Sequence, residues 1–323
     1  MAVAISPDGK TLAMDLQGAI WVMPASGGEA KRITDIYDDA HQPSWSPDGS
    51  RIAFFSYRSG NYNLWEVKPD GNGLRQLTTG SFDDREPVFS HDGSQIAFSS
   101  DRSDTLGGDY NIFVLDVKNG TVRKITTNPA EDTMPSWAPD DKEIGFVSTR
   151  DGSRGAWAIN VESKAERKLT DTAGRADTLS WGPGGDVIVH SIEAGLGQLS
   201  SNGKPISAKG ENAFPFRPSW ISKAEFFYTA DGKIKRRSLG SDGVQVVPFT
   251  ATFQVTPVHG NYSRKKRSFD AQPPRKAMGI VRPVLSPDGK SIAFAALGDI
   301  YVMEVGKKPK AITHDAAYDT DPA

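Results

Sequence analysis

The amino-acid sequence predicts an all-β, seven-bladed β-propeller with four antiparallel strands in each blade. A short motif recurs seven times, a second alternating segment follows its copies, and no long segment has the period of a helix. Repeats of about 40–45 residues with four short strands are typical of propellers, because radial stacking buries both faces of every sheet.

The recurring motif is a strand, a tight turn and a second strand, as in PSWSPDGSRIAFFS at 43–56. Asp and Gly tolerate the positive φ that tight hairpins need, and proline, which has no N–H to donate, suits a strand end. The motif therefore predicts the hairpin between the first two strands of a blade. One residue in each first strand anchors the repeat, and we expect it to pack between blades: Ile5, Trp45, Phe89, Trp137, Trp181, Trp220 and Leu285.

The repeat spacing predicts a single domain over residues 1–323. Its blades span about 1–40, 41–84, 85–132, 133–176, 177–215, 216–280 and 281–323, and the sixth carries a basic insertion at about 256–278. The final residues, YDTDPA, match the segment before Trp45. We therefore expect the chain to be excised from a longer protein, with the ring closed by pairing blade one with blade seven.

Composition excludes several classes of function. The chain has no cysteine, which rules out disulfides, thiolate metal sites and cysteine nucleophiles. Its formal net charge of −2 gives no overall attraction to nucleic acid or to an anionic membrane. No run of apolar residues is long enough to predict a membrane span, and the first residues lack the pattern of a signal peptide.

Catalytic motifs are missing from the sequence. It contains no G-x-S-x-G elbow, no H-E-x-x-H pair and no phosphate-binding loop. The five histidines lie far apart, in different repeats. We therefore expect no catalytic residue, no metal and no cofactor in this chain.

Candidate binding residues lie in the segments that lead into the first strands. These loops are expected to ring the mouth of the central channel, and loops on a rigid scaffold often carry function. A charged mouth would admit a peptide, a carboxylate ligand or a partner's tail. Alternatively, the aspartates cap turns by bonding backbone N–H groups. The channel-mouth candidates are Asp39, His41, Asp84, Arg85, Asp132, Asp177, Arg217, Arg282 and Asp319.

The basic insertion in the sixth blade is a second candidate surface. It is either a solvated loop or an arm that docks a neighbouring domain. Nucleic-acid binding is not predicted, because the rest of the chain adds no basic excess. The docking-arm candidates are Arg264, Lys265, Lys266 and Arg267.

The SPDG-x-x-IAF repeats resemble those of TolB-type propellers, which are distant relatives of WD-repeat propellers. The segments VVPFTATFQV (246–255), YSRKKRSFD (262–270) and GIVRPVLSPDGKSIAFAALGDIYVM (279–303) resemble the N-terminal propeller of bacterial proteins that end in an amidohydrolase domain. TolB itself has six blades and an additional N-terminal domain, so its own partners are not carried over.

The resemblance implies a non-catalytic module of a bacterial exported protein, periplasmic or secreted. It would bind a protein partner or a ligand, and would gate or dock a hydrolase domain that lies outside this chain. Two alternatives stay open. One is a TolB-like periplasmic scaffold, and the other is a metal-dependent propeller lyase or hydrolase, for which His41 would be a ligand.

Overall fold

The regular structure of this chain is β-strand throughout the residues that the computed structural model describes, 1–102, 109–170, 175–253, 279–315 and 317–323. The strands form seven sheets, each built from four consecutive antiparallel strands. This confirms the predicted number and make-up of the blades. Within each sheet the strands follow chain order, so the first strand is always at an edge.

The first four sheets cover the N-terminal half of the chain and are named here in chain order. Sheet one contains β1 (Val3–Ile5), β2 (Thr11–Leu16), β3 (Ala19–Pro24) and β4 (Gly28–Arg32). Sheet two contains β5 (Ala40–Trp45), β6 (Ile52–Ser56), β7 (Asn63–Val67) and β8 (Arg75–Gln76). Sheet three contains β9 (Asp84–Phe89), β10 (Gln95–Ser100), β11 (Asn111–Asp116) and β12 (Val122–Lys124). Sheet four contains β13 (Asp132–Trp137), β14 (Glu143–Ser148), β15 (Gly155–Asn160) and β16 (Glu166–Thr170).

The chain divides into two compact units, Met1–Gln254 (unit 1) and Val255–Ala323 (unit 2), and sheets one to six belong to unit 1. Sheet five contains β17 (Arg175–Trp181), β18 (Val187–Glu193), β19 (Leu196–Ser201) and β20 (Lys204–Pro205). Sheet six contains β21 (Ser219–Trp220), β22 (Glu225–Ala230), β23 (Lys233–Ser238) and β24 (Val244–Val247), and β25 (Phe249–Ala251) follows it. Sheet seven, in unit 2, contains β26 (Val281–Leu285), β27 (Ser291–Ala296), β28 (Asp299–Glu304) and β29 (Lys310–Ala311).

Sheets one and six contact each other directly. The core cluster of sheet one also includes Phe227 and Ile234 of sheet six, and all of these side chains are buried. The Ile5 backbone N–H donates to the hydroxyl of Ser219 at 2.9 Å. Within unit 1, sheet six therefore lies beside sheet one, whereas the expected pairing of blade one with blade seven stays a prediction.

The short strand β25 also joins sheet six to sheet one. It pairs in parallel with β4, with Phe249 opposite Gly28 and Ala251 opposite Ala30. The Gly28 N–H also donates to the carbonyl of Pro248 at 3.0 Å. The chain leaving sheet six thus covers the outer edge of sheet one, which would otherwise expose unpaired backbone groups.

The anchor residues hold neighbouring sheets together, as the sequence predicts. The indole Nε1 of Trp45 donates to the Ala4 carbonyl at 3.0 Å, and that of Trp137 to the Val88 carbonyl at 3.1 Å, in each case on the preceding sheet. Leu285, the anchor of sheet seven in unit 2, is 58% exposed.

The serine of the Pro-Ser-Trp sequence forms a hydrogen bond with the following sheet. Ser136 Oγ accepts the backbone N–H of Trp181 at 2.9 Å, and Ser44 Oγ accepts that of Phe89 at 3.3 Å. Each innermost strand has one edge without a ladder partner. The serine hydroxyls therefore satisfy backbone N–H groups that a neighbouring strand would otherwise have to bond.

The Ser-Pro-Asp-Gly segment forms the tight turn that the sequence predicts. In sheet two the Gly49 N–H donates to the Ser46 carbonyl at 2.9 Å, Gly49 has a φ of +71°, and Pro47 occupies the second turn position. The Asp48 carboxylate accepts the hydroxyl of Ser46 at 2.6 Å and the N–H of Ser50 at 2.9 Å. These hydrogen bonds lower the pKa of Asp48, which identifies the repeated aspartate as a turn residue.

A β-bulge interrupts the first strand just before its proline. Gln42, Glu86 and Met134 have positive φ values of 47°, 61° and 57°, and the pairing register shifts at each of them. A bulge turns a side chain away from its regular direction, and proline is tolerated there because no ladder hydrogen bond is lost. Gln42 is thereby placed in the wall of a cavity between the first strands.

Candidate functional site

A cavity of about 330 Å³ lies at the centre of unit 1, between the first strands of its six sheets. Its wall extends from Gln42 and Arg217 at the bulge level to Pro7, Pro47 and His91 in the turns. The entrance therefore lies on the side of the Ser-Pro-Asp-Gly turns. The tryptophan anchors Trp45, Trp137, Trp181 and Trp220 also line it.

The lead-in segments of sheets two and three form a second candidate site, at the other end of their first strands. We call it the lead-in patch, and it consists of Asp39, His41, Tyr62, Arg85 and Tyr110. The Tyr62 hydroxyl donates to Asp39 Oδ2 at 2.8 Å, and His41 Nε2 lies 2.9 Å from Asp39 Oδ1. The Arg85 guanidinium lies 4.5 Å from the ring centre of Tyr62 and 5.4 Å from that of Tyr110.

The lead-in patch is a connected network that is still open to solvent. The side chains of His41 and Arg85 are each 36% exposed, and that of Asp39 is 49% exposed. Partial burial acts to raise the pKa of Asp39, but the hydrogen bonds from Tyr62 and His41 outweigh it and lower that pKa. Burial and the Asp39 carboxylate raise the pKa of Tyr62, and burial raises that of Tyr110 to about 12. Both tyrosines are therefore neutral hydrogen-bond donors at neutral pH.

Two of the sequence candidates, Asp84 and Asp132, lie in the interior and not at the surface. Both are fully buried. Asp132 binds Arg150 through both carboxylate oxygens, at 3.0 and 3.1 Å, and Asp84 binds Arg102. These arginines follow the second strand of the same sheet, so each pair ties the entry of a blade to the end of its first hairpin.

Asp177 lies beside a buried histidine. Its Oδ2 is 3.4 Å from Nδ1 of His190, a side chain that is only 1% exposed. The other ring nitrogen of His190, Nε2, is 3.0 Å from the Ala213 carbonyl and must donate to it. Nδ1 of the neutral ring therefore faces the carboxylate as an acceptor, and neither atom has a hydrogen-bond partner among the described residues.

Acidification is expected to destabilise the protein through His190. Burial lowers the pKa of this imidazole, and the attraction of Asp177 offsets only part of that effect. The unfolded chain therefore binds a proton more readily than the folded chain, so stability falls as the pH drops below about 6.5. Urea unfolding from about pH 7 to about pH 5 should show this loss, at most about 1.4 kcal/mol per pH unit from one histidine. His190→Gln should reduce the slope, and an unchanged slope in this variant would assign the effect to other groups.

The remaining candidates are dispersed. Arg217 lies in the channel wall of unit 1, whereas Arg282 and Asp319 belong to unit 2. Arg282 contacts Asp321, and the Asp319 N–H donates to the Gly298 carbonyl at 2.8 Å. Arg264, Lys265, Lys266 and Arg267 lie outside the described residues. Within unit 1, the structure thus connects Asp39, His41 and Arg85, and gives Asp84, Asp132, Asp177 and Arg217 other surroundings.

The two tyrosines of the lead-in patch are absent from the sequence-based candidates. Both stand directly before the third strand of their sheet, in GNYNLW (60–65) and GDYNIF (108–113). The recurrent Tyr-Asn pair is the signal that would have found them. It is easily overlooked, because a tyrosine beside an alternating strand also fits ordinary packing.

The described part of the chain offers no obvious place for a metal ion. Among these residues, no three His, Asp or Glu side chains are grouped closely enough to coordinate one. The same residues contain no helix long and apolar enough to cross a membrane.

Comparison with known families and sequences finds similar proteins. A family model described as TolB beta propeller domain matches residues 1–105 and 87–201. A 52-residue segment is 46% identical to the uncharacterized peptidase YuxL of Bacillus subtilis (strain 168), and this match covers 15% of the chain and 8% of YuxL.

Solved structures with a similar fold include TolB from Acinetobacter baumannii, with a TM-score of 0.50 and 15% identity over 94% of this chain and 60% of that one. A puromycin-hydrolyzing peptidase of Mycobacterium tuberculosis has a TM-score of 0.54 and 14% identity, over 88% of this chain and 47% of the peptidase. At such low identities these similarities show the fold. The chain spans less than two thirds of either protein.

Proposed function

Because the chain belongs to the TolB beta propeller domain family, we propose that it is a non-catalytic module that binds a protein partner through the lead-in patch. The single observation that carries this proposal is the network of Asp39, His41, Tyr62 and Arg85, which joins two sheets and remains partly open to solvent.

The chemistry of the patch favours a protein partner. Tyrosine and arginine are enriched among the residues that dominate protein interfaces, because they combine large contact areas with polar ends. Tyr57, whose ring centre is 5.2 Å from that of Tyr62, extends the aromatic surface and is 51% exposed. The patch side chains already contact one another through hydrogen bonds and a ring contact, so less side-chain entropy is lost on docking.

We infer that the partner is a hydrolase domain, amidohydrolase-like by the sequence resemblance, which the propeller docks or gates. The similar proteins named as peptidases support this inference, because this chain matches only part of their length. The basic segment Arg264, Lys265, Lys266 and Arg267 is proposed as a second docking element. We place the protein in the periplasm or outside the cell, where a TolB-like scaffold role is the alternative function.

The proposal is tested by capture from an envelope extract followed by mass spectrometry. Wild-type protein and a Tyr62→Ala plus Arg85→Ala double variant serve as baits. The wild type should retain at least one protein that the double variant loses by about tenfold or more, because removing such anchors typically costs more than about 1 kcal/mol each. Arg167→Ala is the matched control, because it removes an exposed arginine that pairs with Glu143 on sheet four.

The same preparations test the absence of catalysis. Purified protein should not hydrolyse peptide or amide substrates, with or without added Zn²⁺ or Mn²⁺. Turnover that follows the protein through purification would contradict the non-catalytic role. An identical set of captured proteins for the wild type, the double variant and the control would contradict the role of the patch.

A further inference from the structure

Arg217 crosses the central cavity of unit 1 from sheet six towards sheet three. Its guanidinium nitrogens approach the carbonyls of Glu86 and Pro87 at 3.4 and 3.5 Å, which are long distances for hydrogen bonds. Its Nε is buried and has no partner among the described residues. The guanidinium of Arg217 therefore lacks short hydrogen bonds within the cavity.

The positive charge of Arg217 is also unbalanced at close range. No carboxylate of the described residues is within ion-pair distance of it, and the nearby Glu86 carboxylate accepts the Ser99 hydroxyl at 2.7 Å and the Met134 N–H at 2.6 Å. Burial lowers the pKa of Arg217 to about 10, which leaves the guanidinium charged at neutral pH. A buried charge without a partner is costly, and an anion placed beside it would recover that cost.

The cavity next to Arg217 has the size and lining of a small-molecule site. Its volume of about 330 Å³ is within the usual range for such sites. Among the described residues that line it, Arg217 is the only one with a permanent charge, and the walls combine tryptophan, proline and aliphatic side chains with six serines and Gln42. One cation matches an anion of single charge, and the tryptophan and proline side chains offer contacts to an apolar body.

We propose that the cavity at the centre of unit 1 binds a small carboxylate, whose charged group pairs with the guanidinium of Arg217. The fork of guanidinium N–H groups matches the two oxygens of a carboxylate. The apolar part of the ligand lies towards the tryptophan anchors and the turn-side entrance. This site is separate from the lead-in patch, since none of the five patch residues lines the cavity.

Benzoate is the probe for this site, with benzamide as its neutral counterpart and inorganic phosphate as a second anion. Isothermal titration of the full chain should show one saturable benzoate site. Benzamide should bind at least about tenfold more weakly, and Arg217→Met should weaken benzoate binding by a similar factor. Tryptophan fluorescence should respond to benzoate in the wild type, because tryptophans line the cavity.

Arg217→Lys should bind benzoate with intermediate affinity, and Arg123→Met, which removes an arginine that is 38% exposed and does not line the cavity, should bind it as the wild type does. The comparison of benzoate with benzamide uses unaltered protein, so it remains informative if Arg217→Met fails to fold. Equal binding of benzoate and benzamide, unchanged binding by a folded Arg217→Met variant, tighter binding of phosphate, or no saturable benzoate heat would each overturn the proposal. None of these results bears on capture of a partner by the lead-in patch.

Discussion

Replacing Trp137 by alanine is expected to lower the free energy of unfolding by about 3–5 kcal/mol. Trp137 is 2% exposed and packs in a cluster that joins sheets three and four. Its removal would leave a cavity between the two sheets, and the Val88 carbonyl would lose the indole N–H that it accepts at 3.1 Å. Urea denaturation followed by far-UV circular dichroism measures the effect without depending on tryptophan fluorescence.

Two further variants separate packing from hydrogen bonding at this position. Trp137→Phe keeps much of the ring but loses the indole N–H, so it should cost less than the alanine variant. Tyr37→Ala, at a side chain that is 80% exposed, should change stability by less than about 0.5 kcal/mol. A loss of only about 1 kcal/mol for Trp137→Ala would mean that the two sheets close over the gap.

Asp132→Ala should be similarly harmful, at about 3–5 kcal/mol. Arg150 is 5% exposed and binds Asp132 at 3.0 and 3.1 Å, and its guanidinium lies 4.8 Å from the ring centre of Trp157. Removing the carboxylate would leave a buried guanidinium whose remaining carboxylate partner is the partly exposed Glu166. Thermal and urea unfolding both report the loss.

A double-variant cycle tests whether the cost comes from the stranded charge. Asp132→Ala combined with Arg150→Met removes both charges, so it should be more stable than Asp132→Ala alone. Glu143→Ala provides the exposed comparison, because Glu143 pairs with a half-exposed Arg167, and it should cost less than about 1 kcal/mol. If the changes in unfolding free energy caused by the two substitutions simply add, Asp132 and Arg150 do not interact strongly.

The repeats of the sequence were sufficient to predict the sheets and the roles of their recurring residues. Ser-Pro-Asp-Gly carries its own turn chemistry, because Asp48 bonds residues two positions away on either side. The tryptophan anchors follow from regular spacing, since a large apolar residue at the same point of every repeat must serve the contact that all repeats share. Both predictions depend on interactions that are either local in the sequence or repeated in every blade.

Contacts between blades were harder to predict. His91 replaces the proline of the turn in sheet three, and Asp141 replaces the glycine of the turn in sheet four. The Asp141 carboxylate accepts the His91 backbone N–H at 2.9 Å and lies 2.8 Å from the His91 ring. A proline at position 91 would have no N–H to offer, so the two departures from the repeat complement each other across 50 residues.

The candidate site was predicted only in part, because it too depends on contacts between residues that are far apart in the sequence. Asp39 and Asp84 look alike in the sequence, yet Asp39 is half exposed and Asp84 is buried against Arg102. The distinction depends on which arginine lies nearby in space. Likewise, the contact of sheet one with sheet six in unit 1 is completed by β25, a three-residue strand with no repeat of its own.

The position of β25 has a consequence for synthesis on the ribosome. Chains emerge from the N-terminus, so sheet one is complete in sequence long before residues 249–251 leave the exit tunnel. Until then the outer edge of β4 and the apolar face that later packs against sheet six have no partner. Unit 1 therefore cannot complete its fold during translation of its first five sheets, and this interval is when a chaperone would be needed most.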